Sequence, residues 1–128
     1  MVLVLLLASV QGTLAQPSDA QVRTHMEAAA AAQARGDLKA SVEEYRKAIT
    51  LDPQHAEAHA RLGMAHQNLG DLLRAAASLE RALQLNPKLP RAGLLLAFSY
   101  LALGRNREAV PHLEAAFATD ESRPCVWW

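Results

Sequence analysis

The residues best suited to chemistry in this 128-residue chain are three histidines, His55, His59 and His66. On a helix all three would fall on one side, because residues four and seven apart share a face. Zinc needs three or four ligands that converge tetrahedrally. One helix can supply two at this spacing, but His66 would stand roughly two turns beyond His59. The run His55-Ala56-Glu57-Ala58-His59 also lacks the H-E-x-x-H order that places a glutamate beside the first ligand. The spacing does not make a zinc site, and no metal or other cofactor is expected.

Nucleophilic and acid–base chemistry have even less to work with. None of Ser9, Ser18, Ser41, Ser78, Ser99 and Ser122 lies in a G-x-S-x-G elbow, and no phosphate-cradling glycine loop occurs. Glu43 and Glu44 are neighbours along a helical pattern and so point apart, as solvated charges do. Cys125 is the single cysteine, which excludes an internal disulfide framework. The expectation is a chain without catalytic residues, not an enzyme.

The elements that must carry these side chains are spaced by three glycines, Gly36, Gly70 and Gly104, set 34 residues apart between helix-length apolar patterns. Between the first two, Leu38, Val42, Tyr45 and Ile49 form one apolar helical stripe with charges opposite. Gly36 and Gly70 can supply the positive φ that ends a helix, and Asp37 and Asp71 can cap the next one. Asp52-Pro53 and Asn86-Pro87 stop the second helix of each pair, since the residue before proline is driven out of the α region. No stretch alternates with period two for long enough to make a sheet. The fold class expected is all-α.

With each glycine set at position 15, units run 22–55, 56–89 and 90–123. Position 8 is then Ala29, Gly63 and Ala97; position 20 is Ser41, Ala75 and Ala109; position 27 is Ala48, Ala82 and Ala116. Position 24 is large in every unit, as Tyr45, Leu79 and Leu113, and position 32 is Pro53, Pro87 and then Glu121. This pattern resembles the 34-residue unit of the tetratricopeptide repeat family, over roughly Ser18 to Glu121. The resemblance implies a right-handed α-solenoid of three helix–turn–helix repeats, each burying its apolar face on its neighbour. Positions 4 and 11, where the family often has aromatic residues, hold His25 and Ala32 in the first unit, which is expected to be lightly packed, and Gly93 and Tyr100 in the third. The same positions hold His59 and His66 in the second unit, which the resemblance makes core-facing.

The resemblance also implies a concave groove lined by the first helix of each pair. The residues it assigns there are Arg23, Met26, Ala30 and Gln33; Glu57, Ala60, Met64 and Gln67; Arg91, Leu94, Phe98 and Leu101. Such a surface is mostly apolar and suits a peptide or amphipathic helix of a partner protein. The carboxylate clamp of some family members is not matched, since Met26, Ala30, Leu94 and Phe98 occupy much of the groove. Leu94, Phe98 and Leu101 have a plainer reading as packing for a neighbouring element.

Thirteen Lys+Arg balance thirteen Asp+Glu, and the charges are interspersed. No basic stripe or aromatic platform marks a nucleic-acid binder. Residues 1–15 are apolar and end in Thr13-Leu14-Ala15, the pattern of a leader cleaved after Ala15, with residues 16–21 as a linker or the start of the first helix. The apolar run is too short for a stable span. Export, periplasmic or secreted, is expected; the alternatives are a buried first helix and a cytoplasmic protein. At the other end, Pro124 and Trp127 fall in register with a fourth unit, so 124–128 reads as a truncated repeat or a tail. No capping helix is evident, and the open third unit could then self-associate. Two functions follow: an exported interaction scaffold, or the N-terminal repeat region of a longer enzyme, transport or assembly protein.

Overall fold

A computed structural model describes residues 18–89 and 91–118. The described residues form six helices: α1 (Ser18–Ala34), α2 (Leu38–Leu51), α3 (Ala56–Asn68), α4 (Leu72–Leu85), α5 (Ala92–Ala102) and α6 (Asn106–Ala118). Each packs on the next along the chain, and α3 also touches α5. Among the described residues there is no strand, and no helix is long and apolar enough to cross a membrane. Ser18 and Asp19 belong to α1 rather than to a linker. The expected leader (1–15) and the final segment (124–128) lie outside the described residues, as does Cys125.

The helix boundaries follow from local chemistry. Gly36, Gly70 and Gly104 have φ of 78°, 81° and 76°, a region in which an L-residue costs about 1–2 kcal/mol. Each turn is closed in the same way: the amide after the glycine bonds to a carbonyl five residues back, Asp37 to Ala32, Asp71 to His66 and Arg105 to Tyr100. Asp37 and Asp71 then cap α2 and α4, their carboxylates accepting from the amides of Ala40 and Arg74. Such a cap contributes about 1 kcal/mol. In the third turn Arg105 replaces the aspartate, lies over the Tyr100 ring at 4.9 Å and pairs with Glu108. Asp52 and Asn86 end α2 and α4, one residue before each proline.

Two apolar clusters hold the helices together, and they are built alike. Val42, Tyr45 and Ile49 of α2 and Met26 of α1 meet Leu62 and Ala65 of α3. Ala76, Leu79 and Leu83 of α4 and Ala60 of α3 meet Ala92 and Leu96 of α5. Each cluster joins one helical pair to the first helix of the next, and the second cluster runs on to Ala109 and Leu113 of α6. The alanines and the glycine at position 8 let the backbones approach: Ala29, Ala48, Ala75, Ala82, Ala97 and Ala109 are fully buried.

Candidate interaction channel

Residues of α1, α3 and α5 border two adjoining hollows. The first, about 450 Å³, is lined by Val22, Met26 and Ala30 from α1 and by Glu57 and Arg61 from α3. Its apolar floor carries a rim of Asp19, Glu27, Asp52 and Glu57 against Arg23 and Arg61, so carboxylates outnumber cations. Arg61 is already engaged, its guanidinium 2.6 Å from Glu57, a bond that holds the arginine firmly protonated.

The second hollow, about 520 Å³, shares Glu57 and Arg61 with the first and continues over Ala60, Met64, Leu89, Ala92 and Leu95 to Arg91. Arg91 precedes α5 at φ 67°, ψ −19°, the left-handed region, and its side chain makes no cap bond. Its rim is therefore basic where the first is acidic. The channel carries a charge gradient along its length.

The expected groove residues divide into three groups. Arg23, Met26, Ala30 and Glu57 line the first hollow, and Glu57, Ala60, Met64 and Arg91 the second. Gln33 and Gln67 are tied into the structure instead. Gln33 Oε1 accepts from the Tyr45 hydroxyl at 3.3 Å, and Gln67 Nε2 donates to the Leu95 carbonyl at 3.3 Å. Leu94, Phe98 and Leu101 lie apart from both hollows. Leu94 borders a separate depression with Leu83, Leu89, Ala115 and Ala116, while Phe98 and Leu101 are 56% and 41% exposed. Asp19, Glu27, Asp52 and Arg61 escaped the sequence reading because they stand off the groove positions; the folded chain gathers them around the first hollow.

The histidines are accounted for individually. His66 is buried, and desolvation lowers its pKa below the ordinary histidine value. Two expected core positions are occupied differently. His25 is half-buried and donates from Nδ1 to Glu44 at 2.7 Å, a bond that lowers the Glu44 pKa. His59 Nε2 donates to the Pro53 carbonyl at 2.9 Å near the surface. In both, an imidazole meets a polar partner at the edge of the pair, which costs less than burying it among alanines. His55 caps α3, its Nδ1 accepting from the Ala58 amide at 3.1 Å. Among the described residues no three His, Cys, Asp or Glu side chains converge on one point.

Comparison with known proteins adds a lineage to this geometry. Models described as TPR repeat and as Tetratricopeptide repeat match residues 33–70 and 68–127, and one described as the PA14_33160 family matches 6–51. No curated protein sequence matches the chain. Among solved structures, MamA superposes with a TM-score of 0.75 at 22% identity, over 80% of this chain and 60% of that one. A point mutant of MamA gives 0.71 at 30% identity, over 78% of this chain and 73% of its own. The TPR2B domain of yeast Sti1, in complex with pHsp70, gives 0.75 at 20% identity, over 80% of this chain and 82% of that one. The chain thus spans about 60% of the length of the first of these structures.

Proposed function

Because the chain belongs to the tetratricopeptide repeat family, we propose that it acts as a non-catalytic scaffold whose α1–α3–α5 channel holds a peptide or helix of a partner protein. The observation that carries this reading is the pair of adjoining hollows, apolar at the floor and charged at the rim, joined by Glu57 and Arg61. An apolar floor accepts side chains from one face of an amphipathic segment, and rim charges set its direction. Met26 and Met64 give the floor an adaptable surface. The gradient orients the occupant with basic residues towards α1 and an acidic residue towards Arg91. A domain of the same fold, that of yeast Sti1, forms a complex with pHsp70.

Capture from a peptide library tests the reading. Met64→Glu places a charge on the floor of the second hollow and should abolish capture without shifting the melting temperature. Lys-rich amphipathic peptides should bind the native chain more tightly than Glu-rich ones. Equal capture by native and Met64→Glu chains would remove the channel from the function.

Residues 1–15 fit a leader removed after Ala15, so the scaffold is taken to work outside the cytoplasm. Amino-terminal sequencing of the exported product should begin at Gln16. Intact Met1 in the soluble cytoplasmic fraction would overturn export.

A further inference from the structure

On the side of α3 away from the channel lies another hollow, of about 470 Å³, set among α2, α3 and α4. The α3 residues that line it, His59 and Leu62, stand about half a turn round the helix from Glu57, Ala60 and Met64, which line the channel. Its floor is apolar, with Leu62 buried, Ile49 half-buried and Ala77 beside them. Around that floor stand Arg46 from α2, Arg81 from α4 and the His59 ring, with the hydroxyls of Thr50 and Ser78. Among the described residues no carboxylate lines it, whereas Asp19, Glu27, Asp52 and Glu57 rim the first hollow of the channel. We propose that this hollow binds an acidic segment of a partner protein, its carboxylates taken by Arg46 and Arg81.

Both guanidiniums are available to such a ligand. Arg81 donates to Gln84 at 3.4 Å and pairs with no carboxylate among the described residues. Arg46 donates from Nη1 to Glu43 at 3.2 Å, with side chains 47% and 63% exposed. An exposed pair of this kind contributes little, and the other guanidinium nitrogens remain for an incoming carboxylate. A guanidinium is a flat fork that matches one carboxylate, so two forks on separate helices suit two acidic side chains of one segment. The methylenes of those side chains can lie on the apolar floor. Thr50 donates its own proton to the Arg46 carbonyl, which leaves its oxygen to accept from an amide of the segment. An anionic bilayer fits less well. The charges of the whole chain balance, so no field draws it to a charged plane, and exposed Glu43 beside Arg46 would face that plane. The site does not depend on the channel, which occupies the opposite face of α3.

Fluorescence anisotropy of a short labelled peptide of glutamate and glycine, titrated with the full chain, tests this directly. The native chain should bind it saturably and should not bind a glutamine–glycine peptide of the same length. Arg46→Ala and Arg81→Ala should each weaken binding by about tenfold. Arg74→Ala removes the same charge from α4 outside the hollow and should leave the affinity within about twofold. Met64→Glu, in the channel, should also leave it unchanged, so failure of this site and failure of the channel are read separately. Both arginines are exposed, and circular dichroism identical to the native chain checks that the fold is kept. Ala77→Glu sets a carboxylate at an exposed lining position and should abolish binding, should either arginine variant fail that check. A native chain that shows no saturable binding would overturn the proposal. So would equal losses in Arg74→Ala and Arg81→Ala, since a charge anywhere on α4 would then suffice. Binding of a phosphoserine peptide or of phosphatidylglycerol vesicles, with none of the glutamate peptide, would overturn it as well.

Discussion

Gly63 lies so close to Leu79 that a Cβ on it would stand 2.6 Å from Leu79 Cγ and 3.1 Å from the Ala75 carbonyl. The contact sets how near α3 comes to α4. At the matching places in the other pairs, Ala29 and Ala97 keep their methyl groups, fully buried. Gly63→Ala should therefore overpack this one pair. Overpacking costs about 1–3 kcal/mol, against roughly 1 kcal/mol gained from the better helix former. The expected result is a lower denaturation midpoint with an unchanged slope in urea; a higher midpoint would show that Leu79 yields freely.

Ser41 is buried, and its hydroxyl has no hydrogen-bond partner. Alanine occupies the same place in the other two pairs, as Ala75 and Ala109. Ser41→Ala removes the desolvated oxygen while keeping the small volume, so stability should rise by about 1 kcal/mol. Thermal unfolding measures it, and a fall of similar size would reveal a bond to Ser41 that matters.

Acid should loosen the fold through His66 and Glu44. The His66 pKa is lowered by burial, so between the folded and ordinary values the unfolded chain binds the proton more readily. Its contribution is present above the ordinary histidine value and is lost as pH falls below it. The Glu44 pKa is lowered by the bonds from His25 and Lys47, and its contribution is lost further down, as pH falls through the folded carboxylate value. A melting temperature that declines below about pH 6.5 is expected, with the first part of the decline absent in His66→Phe.

Base should act through Tyr100, whose hydroxyl donates to Glu80 across α4 and α5. Burial first, then that carboxylate, push its pKa up to about 12. The unfolded tyrosine ionises near its ordinary value of about 10, so the stability held by the neutral phenol is present below that value and lost as pH rises towards 12. Tyr100→Phe should flatten the alkaline decline of the melting temperature while lowering stability at neutral pH by about 1 kcal/mol. An unchanged alkaline limb would place the ionisation elsewhere.

Arg91 pairs an unfavourable backbone with a place on the channel rim. Its left-handed φ costs about 1–2 kcal/mol in a residue other than glycine. Glycine there removes that cost but loosens the unfolded chain by roughly 0.5–1 kcal/mol. Arg91→Gly should therefore leave the melting temperature level or slightly higher while weakening capture of peptides with an acidic end. Lost stability with intact capture would mark Arg91 as a structural residue alone.

Much of this molecule was legible in the order of its residues, because what specifies it acts over a few positions. Gly36 and Gly70 require a conformation that only glycine takes cheaply, Asp37 and Asp71 reach amides three residues on, and Asp52-Pro53 cannot continue a helix. The apolar stripe through Val42 and Tyr45, and the small residues that admit a neighbour, are likewise written in helical spacing. Where a side chain points once two helices have met is a different matter. Ala60 and Met64 share one face of α3, yet Ala60 joins a core cluster as well as the channel. Gln33 and Gln67, assigned to the groove by the family resemblance, bond to the Tyr45 hydroxyl and the Leu95 carbonyl. His25 meets Glu44, and Tyr100 meets Glu80, across nineteen and twenty residues of chain. The sequence alone determined the helices and the turns between them, since a backbone answers to its near neighbours. The tertiary structure decided which polar groups found partners and which faces stayed open, because those depend on the distance and rotation between helices, set by all the packed residues together.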